Sequence, residues 1–190
     1  HHSNIVPWQL IAERTGADAQ FESVFLKGTK HVSGPRVPGG VEIDEPAFYP
    51  GDEWVDWVGV NMYSATYYNR DRRFPGIDDH PADLLQHVYD LYSSRKPIMI
   101  CEYGAANYSA LENEHVPQFA IENIKSLYWS LPRRFPRVKC VTYFSGNNML
   151  VAHRKNNAYS LLSKPCVLEA YQDAISSDYF TSSPMGTPAS

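Results

Sequence analysis

Three short apolar runs, separated by stretches with helical spacing, constrain the fold of this chain more than any other feature. The runs are residues 54–63, 96–102 and 138–144. They are rich in the β-branched and aromatic residues that are typical of buried strands. Apolar residues recur at helical spacing over residues 81–93, 115–131 and 165–175. Repeated strand–helix units of this kind predict a parallel sheet covered by helices.

Such units occur both in doubly wound sheets and in (β/α)8 barrels. Three units suit the last three of a barrel, and a full barrel takes about 250 residues, whereas this chain has 190. We therefore predict a partial or complete (β/α)8 TIM barrel over residues 1–180, in which strands six to eight are recognisable. The missing N-terminal half of the barrel is then an expected partner. Residues 181–190 form a flexible Ser/Thr/Pro-rich tail, of the kind found either as linkers and processed termini in secreted polysaccharide enzymes or as frayed ends in other proteins.

Composition excludes some classes of partner and leaves others open. The net charge of −4 provides no basic surface for nucleic acid. No apolar run approaches the roughly 18 residues that would span a membrane. Aromatic residues make up 13% of the chain, as is common both in sugar-binding proteins and in large cores. The three cysteines fit no metal spacing, so no cofactor is expected, and free thiols are favoured over a single disulfide.

Polar residues directly follow each apolar run, where a strand is expected to end. Asn61 and Tyr63 close the first run, Glu102 closes the second, and Asn147 and Asn148 follow the third. Parallel α/β folds place their active residues at these carboxyl ends. A carboxylate at the end of a buried strand is costly unless it has partners or a task. Glu102 is therefore either a functional carboxylate or a salt-bridged residue at the rim.

Two long motifs resemble those of family 26 glycoside hydrolases. Residues 49–60 read YPGDEWVDWVGV, which resembles the stretch YPGDEYVDWVG that leads into strand six of that family. Residues 96–104 read KPIMICEYG, which resembles the strand-seven motif KPIMIAEFG, whose Glu is the nucleophile. Residues 138–144, VKCVTYF, resemble the strand-eight segment. The order and spacing of the motifs also agree with the family.

The resemblance implies a secreted, retaining endo-glycoside hydrolase that acts on a β-linked polysaccharide, most often β-mannan. It assigns Glu102 as the nucleophile, and Tyr63 is expected to orient its carboxylate through a hydrogen bond. The alternative for Tyr63 is a packing residue at the rim. Asn61 is expected to contact sugar hydroxyls, and Asn147 and Asn148 are expected either to bind sugar or to make a turn.

The chain departs from the family in its general acid. The family carries this residue at the end of strand four, usually in an E-M-N-G-like motif. The nearest imitation here includes Glu13, but too few residues separate it from the motif at residues 49–60 for the intervening elements. Two alternatives therefore stay open beside the enzyme. One is a carbohydrate-binding pseudoenzyme, and the other is an inactive fragment that lacks the acid/base half of the barrel.

Overall fold

Parallel strands that follow one another in chain order form the sheet of this protein. The computed structural model describes residues 49, 51–53, 55–68, 71–150 and 157–181. The strands are β1 (Val58–Ser64), β2 (Ile98–Ala105), β3 (Tyr108–Ser109), β4 (Glu114–His115) and β5 (Val138–Tyr143). The helices are α1 (Pro81–Tyr92), α2 (Pro117–Arg134) and α3 (Pro165–Ala174). Strands β1, β2 and β5 form a parallel sheet in that order, and β3 and β4 form an antiparallel hairpin.

The predicted alternation of strands and helices is confirmed. Each predicted strand run overlaps an observed strand, and the three are parallel neighbours. β2 continues to Ala105, three residues past its predicted end at Glu102. Each helix begins with a proline, whose fixed φ and missing N–H suit the first turn. Arg133 and Arg134 lie in the last turn of α2, where positive charge complements the helix dipole.

The hairpin formed by β3 and β4 was not predicted. His115 was expected in the second helix, but it lies in β4, and α2 begins at Pro117. The connection contains Asn113 with φ 56°, a left-handed conformation that asparagine adopts more readily than most residues. Two-residue strands carry too short a pattern to be recognised by periodicity.

One hydrophobic core joins the sheet to the three helices. Val60, Ile100 and Val138 are buried on the helical side of the strands. The helices bring Leu85, Val88, Ile124, Leu127, Leu131 and Val167 into the same cluster. Cys101 and Cys140 are half-buried and Cys166 is exposed, and all three are free thiols. In the part of the chain that the structure describes, no helix is both long enough and apolar enough to cross a membrane.

The predicted (β/α)8 barrel is wrong for this structure. Its described residues form a small α/β fold with an open three-stranded parallel sheet, and no closed ring of strands is present among them. The error has a physical origin. A barrel and an open parallel sheet share the same strand–helix unit, so the alternation of apolar runs does not distinguish closure from an open edge.

The motif at residues 49–60 holds the beginning of β2 in place. Tyr49 donates a hydrogen bond to Asp52 Oδ1 at 2.7 Å, and Arg95 forms an ion pair with the same oxygen at 2.7 Å. Together, led by the Tyr49 hydrogen bond, they hold the pKa of Asp52 below its usual value. Lys96 Nζ donates to the Asp52 carbonyl at 2.6 Å, and Gly51 adopts a φ of 121° that favours glycine. The first of the two family-like motifs therefore has a structural role, and it acts at the beginning of β2 rather than beside Glu102.

An extra residue in β2 changes the side of the sheet that Glu102 faces. Val60 pairs with Ile100, but the next residue, Asn61, pairs with Glu102. Cys101 is thus inserted relative to β1, and the register with β5 also shifts between Ile100 and Tyr103. Strict alternation would place Glu102 with Ile98 and Ile100 on the helical side. The bulge moves it to the opposite side, which it shares with Asn61.

Gly59 makes room for this bulge. A Cβ atom added at Gly59 would lie 2.6 Å from Cys101 Sγ, closer than real Cβ atoms approach. Among the described residues, the chain neighbours of Gly59 aside, no other atom would lie within 4 Å of it. The conflict is therefore confined to one atom pair across β1 and β2.

We expect Gly59→Ala to destabilise the protein by about 1–3 kcal/mol, because the added methyl overpacks against the Cys101 thiol. Cys101→Ala removes that sulfur, so most of the cost should disappear in the double variant Gly59→Ala/Cys101→Ala. Urea unfolding of the wild type, both single variants and the double variant measures the coupling. Additive losses would show that Gly59 is needed for another reason.

Candidate functional site

A hydrogen bond joins the two residues predicted to form the centre of the site. Tyr63 lies near the end of β1, and Glu102 lies past the middle of the neighbouring strand β2. The Tyr63 hydroxyl donates to Glu102 Oε2, and the contact is half-buried. The predicted hydrogen bond is therefore present. The catalytic roles of the two residues stay predictions.

Asn61 lies beside this pair on the same side of the sheet. It is the register partner of Glu102 and is two residues from Tyr63, so all three share one face. Asn61 Oδ1 is buried and accepts no hydrogen bond from any of the described residues. Buried polar atoms in native proteins are rarely left unsatisfied, so this acceptor calls for a donor.

The ring of Tyr63 packs against two other aromatic rings, those of Phe144 and Tyr159. The ring centroids of Tyr63 and Tyr159 are 5.2 Å apart, and those of Tyr63 and Phe144 are 5.7 Å apart in an edge-on arrangement. Tyr159 is buried, and burial raises its pKa to about 12, although a hydrogen bond with Asn157 opposes the shift. Its ring is therefore neutral at pH 7.

The segments that follow β1, β2 and β5 are hydrogen-bonded to one another around the site. The Thr66 hydroxyl donates to Ser109 Oγ at 3.0 Å, which links the first segment to the hairpin. The fully buried Asn107 donates its side-chain amide to the Ser160 carbonyl at 2.7 Å and accepts from the Ser163 hydroxyl at 3.0 Å. Asn157 Oδ1 accepts from the Ala110 amide at 3.1 Å. These bonds fix the loops relative to the sheet.

The other predicted site residues lie in a turn after β5. Asn147 Oδ1 accepts a hydrogen bond from the Met149 amide at 3.0 Å, and Asn148 begins the 3-10 turn Asn148–Leu150. Asn147 was expected either to bind sugar or to make a turn, and in the structure its side chain makes the turn. His80 is exposed ahead of α1, as expected of a surface histidine. Glu13 and His153, which was also expected at the surface, lie outside the described residues, as do tail residues 182–190.

Sequence reasoning missed the residues that support the pair. Asn107 and Phe144 closely follow β2 and β5, and Tyr159 lies in the connection before α3. Polar and aromatic residues are common in such segments, so none of the three stands out. A signal was available for Asn107, because it comes five residues after Glu102 in an otherwise small, apolar stretch. Its burial could not be deduced, since its partners lie more than 50 residues later.

We expect Asn107→Ala to loosen residues 157–163 and to cost about 1–3 kcal/mol, because it removes the hydrogen bond to the Ser160 carbonyl and the one from the Ser163 hydroxyl. Hydrogen exchange should then speed up at the amides of Tyr159 and Leu161, which bond to Gly146 and Ser145. Gln118→Ala, which removes an exposed helix-surface contact, is the control. Unchanged exchange in Asn107→Ala would contradict the assigned role.

Comparison with known proteins gives one short likeness. The chain matches no protein-family model. It is 66% identical over 29 residues to proteins described as probable cysteine desulfurases from two strains of Xylella fastidiosa, Temecula1 and 9a5c. The matched stretch covers 15% of this chain and 7% of each of these relatives. The chain therefore spans only a small part of their length, and the likeness assigns it to no family.

Proposed function

We propose that this protein is a retaining endo-glycoside hydrolase that acts on a β-linked polysaccharide, with β-mannan as the first candidate. The single observation that carries the proposal is the hydrogen bond from Tyr63 to Glu102 on neighbouring parallel strands. The motif at residues 96–104, which resembles the nucleophile motif of family 26 glycoside hydrolases, supports it. Secretion is part of the same proposal, because polysaccharides are met outside the cell.

Glu102 would act as the nucleophile. Tyr63 engages Oε2, which leaves Oε1 as the oxygen that attacks the anomeric carbon. The bond from that carbon to the leaving oxygen breaks, and the leaving oxygen takes a proton from a second carboxyl group about 5–5.5 Å away. The second carboxylate, now deprotonated, takes a proton from water, whose oxygen attacks the anomeric carbon; the ester bond to Glu102 breaks and its carboxylate is regenerated. Glu13, in the stretch nearest to the family's acid motif, lies outside the described residues.

Asn61 would bind a sugar hydroxyl. Its Oδ1 has no donor among the described residues, and a turn of the side chain toward Glu102 would let a sugar hydroxyl supply one. Asn148 stays a predicted binding residue on the turn after β5. For Asn147, the side-chain oxygen already bonds to Met149, so only its amide nitrogen would be offered to a ligand.

We expect Glu102→Gln to abolish hydrolysis of soluble β-mannan by the full protein while leaving binding largely intact. Glutamine keeps the shape and one acceptor but cannot form the glycosyl ester. Loss of covalent catalysis costs orders of magnitude in rate. Reducing-sugar release from mannan, xylan, cellulose and mixed-linkage glucan measures activity, and affinity electrophoresis in the same glycans measures binding.

We expect Tyr63→Phe to lower kcat by about 10- to 100-fold, because it removes one hydrogen bond to a charged group. The matched control is Tyr108→Phe, which removes the hydroxyl of a hairpin tyrosine that bonds to Asn113. The control should keep wild-type activity, because its hydroxyl bonds within the hairpin, to Asn113.

The outcomes separate the candidate functions. Activity on another glycan of the panel keeps the mechanism and changes the substrate. Binding without hydrolysis by the wild type favours the carbohydrate-binding pseudoenzyme, for which the unsatisfied acceptor of Asn61 is the supporting observation. Wild-type activity in Glu102→Gln removes Glu102 from the mechanism.

A further inference from the structure

Gly104 lies where the two tyrosine rings of the site come together. A Cβ atom added there would lie 3.1 Å from Tyr159 Cδ1, 3.2 Å from Tyr159 Cγ and 3.2 Å from Tyr63 Cδ1. These distances are tighter than most real Cβ contacts. These atoms lie at the base of each ring, close to the backbone. Rotation of a terminal side-chain bond therefore cannot move them away from an added Cβ. The missing side chain of Gly104 therefore lets both rings pack against β2.

Tyr159 is held more firmly than Tyr63. It is buried, and its amide donates to the Gly146 carbonyl at 2.8 Å. Asn107 fixes the residues on either side of it, since the Asn107 amide donates to the Ala158 carbonyl at 2.9 Å and its side chain donates to the Ser160 carbonyl at 2.7 Å. Tyr159 is thus a fixed surface, and Tyr63 packs on it.

Phe144, which directly follows β5, also packs against the Tyr63 ring. Its ring lies edge-on to Tyr63 and 6.0 Å from Tyr159, centroid to centroid. The Tyr63 carbonyl accepts a hydrogen bond from the Tyr68 hydroxyl at 3.3 Å, so the Tyr63 backbone is also held. The remaining freedom of Tyr63 is the direction of its ring, which sets where the hydroxyl meets Glu102.

We propose that Gly104 and Tyr159 are positioning residues that aim the Tyr63 hydroxyl at Glu102. Both lie against the Tyr63 ring and act on the carboxylate through it. The kinetic part of this inference rests on the proposed function, whereas the geometric part does not. Packing of a ring against a fixed neighbour is how a hydrogen-bonding group is held within the narrow angles that a site requires.

The geometric test is a set of crystal structures. The distance from Tyr63 Oη to Glu102 Oε2 should stay within hydrogen-bond range in the wild type and in Tyr159→Phe, which keeps the ring. It should exceed hydrogen-bond range in Gly104→Ala and in Tyr159→Leu. Retention of the bond in both of these variants would overturn the proposal. If Gly104→Ala does not fold, Tyr159→Leu and the half-buried Phe144→Leu decide the question, and retention of the bond in those two would overturn it.

The kinetic test asks whether the losses pass through one hydroxyl. In Gly104→Ala and Tyr159→Leu, kcat should fall by about tenfold or more, as in Tyr63→Phe, with a smaller change in KM. Adding Tyr63→Phe to either variant should cause little further loss, because the hydroxyl is already misplaced. Tyr159→Phe should keep wild-type kcat.

A matched control separates positioning from general destabilisation. Ile124→Val shortens a buried side chain of α2 on the helical side of the sheet, so it lowers stability without touching the rings. It should leave kcat unchanged, and an equal loss in Ile124→Val would overturn the proposal. If the wild type hydrolyses no glycan, the proposed function fails, and the crystal structures still decide whether Gly104 and Tyr159 aim Tyr63.

Discussion

The insertion of Cys101 determines which side chains of β2 face the helices and which face the opposite side of the sheet. Before the insertion, Ile98 and Ile100 point toward the helices and enter the core. After it, Tyr103 and Ala105 do the same, whereas Glu102 lies on the other side with Asn61. Without the insertion, a carboxylate would have to be buried among aliphatic side chains, which is costly for a charge without partners. The core and the candidate site therefore both depend on this one bulge.

The support of the candidate site is built from contacts that are distant in the sequence. Tyr63 reaches Glu102 from β1, and Tyr159 reaches Tyr63 from the segment before α3. Asn107 ties that segment to the end of β2. The carboxylate is thus held by a donor that is itself held by packing, and the packing is held by buried amide hydrogen bonds. Such layering gives a precise site on a small sheet.

Much of the fold could be predicted because its signals are local. Apolar runs marked β1, β2 and β5, and apolar residues at helical spacing marked the three helices. The hairpin at residues 108–115 escaped because its strands are too short for a periodic pattern. Sheet closure was predicted wrongly because the strand–helix unit is common to open and closed sheets. Pairing of very short strands and closure of a sheet both depend on contacts between elements, which the sequence of a single strand or helix does not encode.

The site was predicted less completely than the fold. Glu102 and Tyr63 were found because they end apolar runs, and the hydrogen bond between them followed from their neighbouring strands. The reason that they face the same side was not visible, because strict alternation from Ile100 gives the opposite answer. Gly104, Asn107 and Tyr159 were missed because their roles depend on partners that only the folded chain brings near.

The regular spacing of the strands has a consequence for how the chain folds. Val58 pairs with Ile98, and Ile98 pairs with Val138, so both strand pairs close loops of nearly equal length. The entropy lost on closing a loop depends mainly on its length, so chain entropy does not favour either pair as the first to form. The order of assembly is then set by side chains. Strand β2 takes part in both pairings and has buried residues at both of its ends, so we expect either neighbour to form on it.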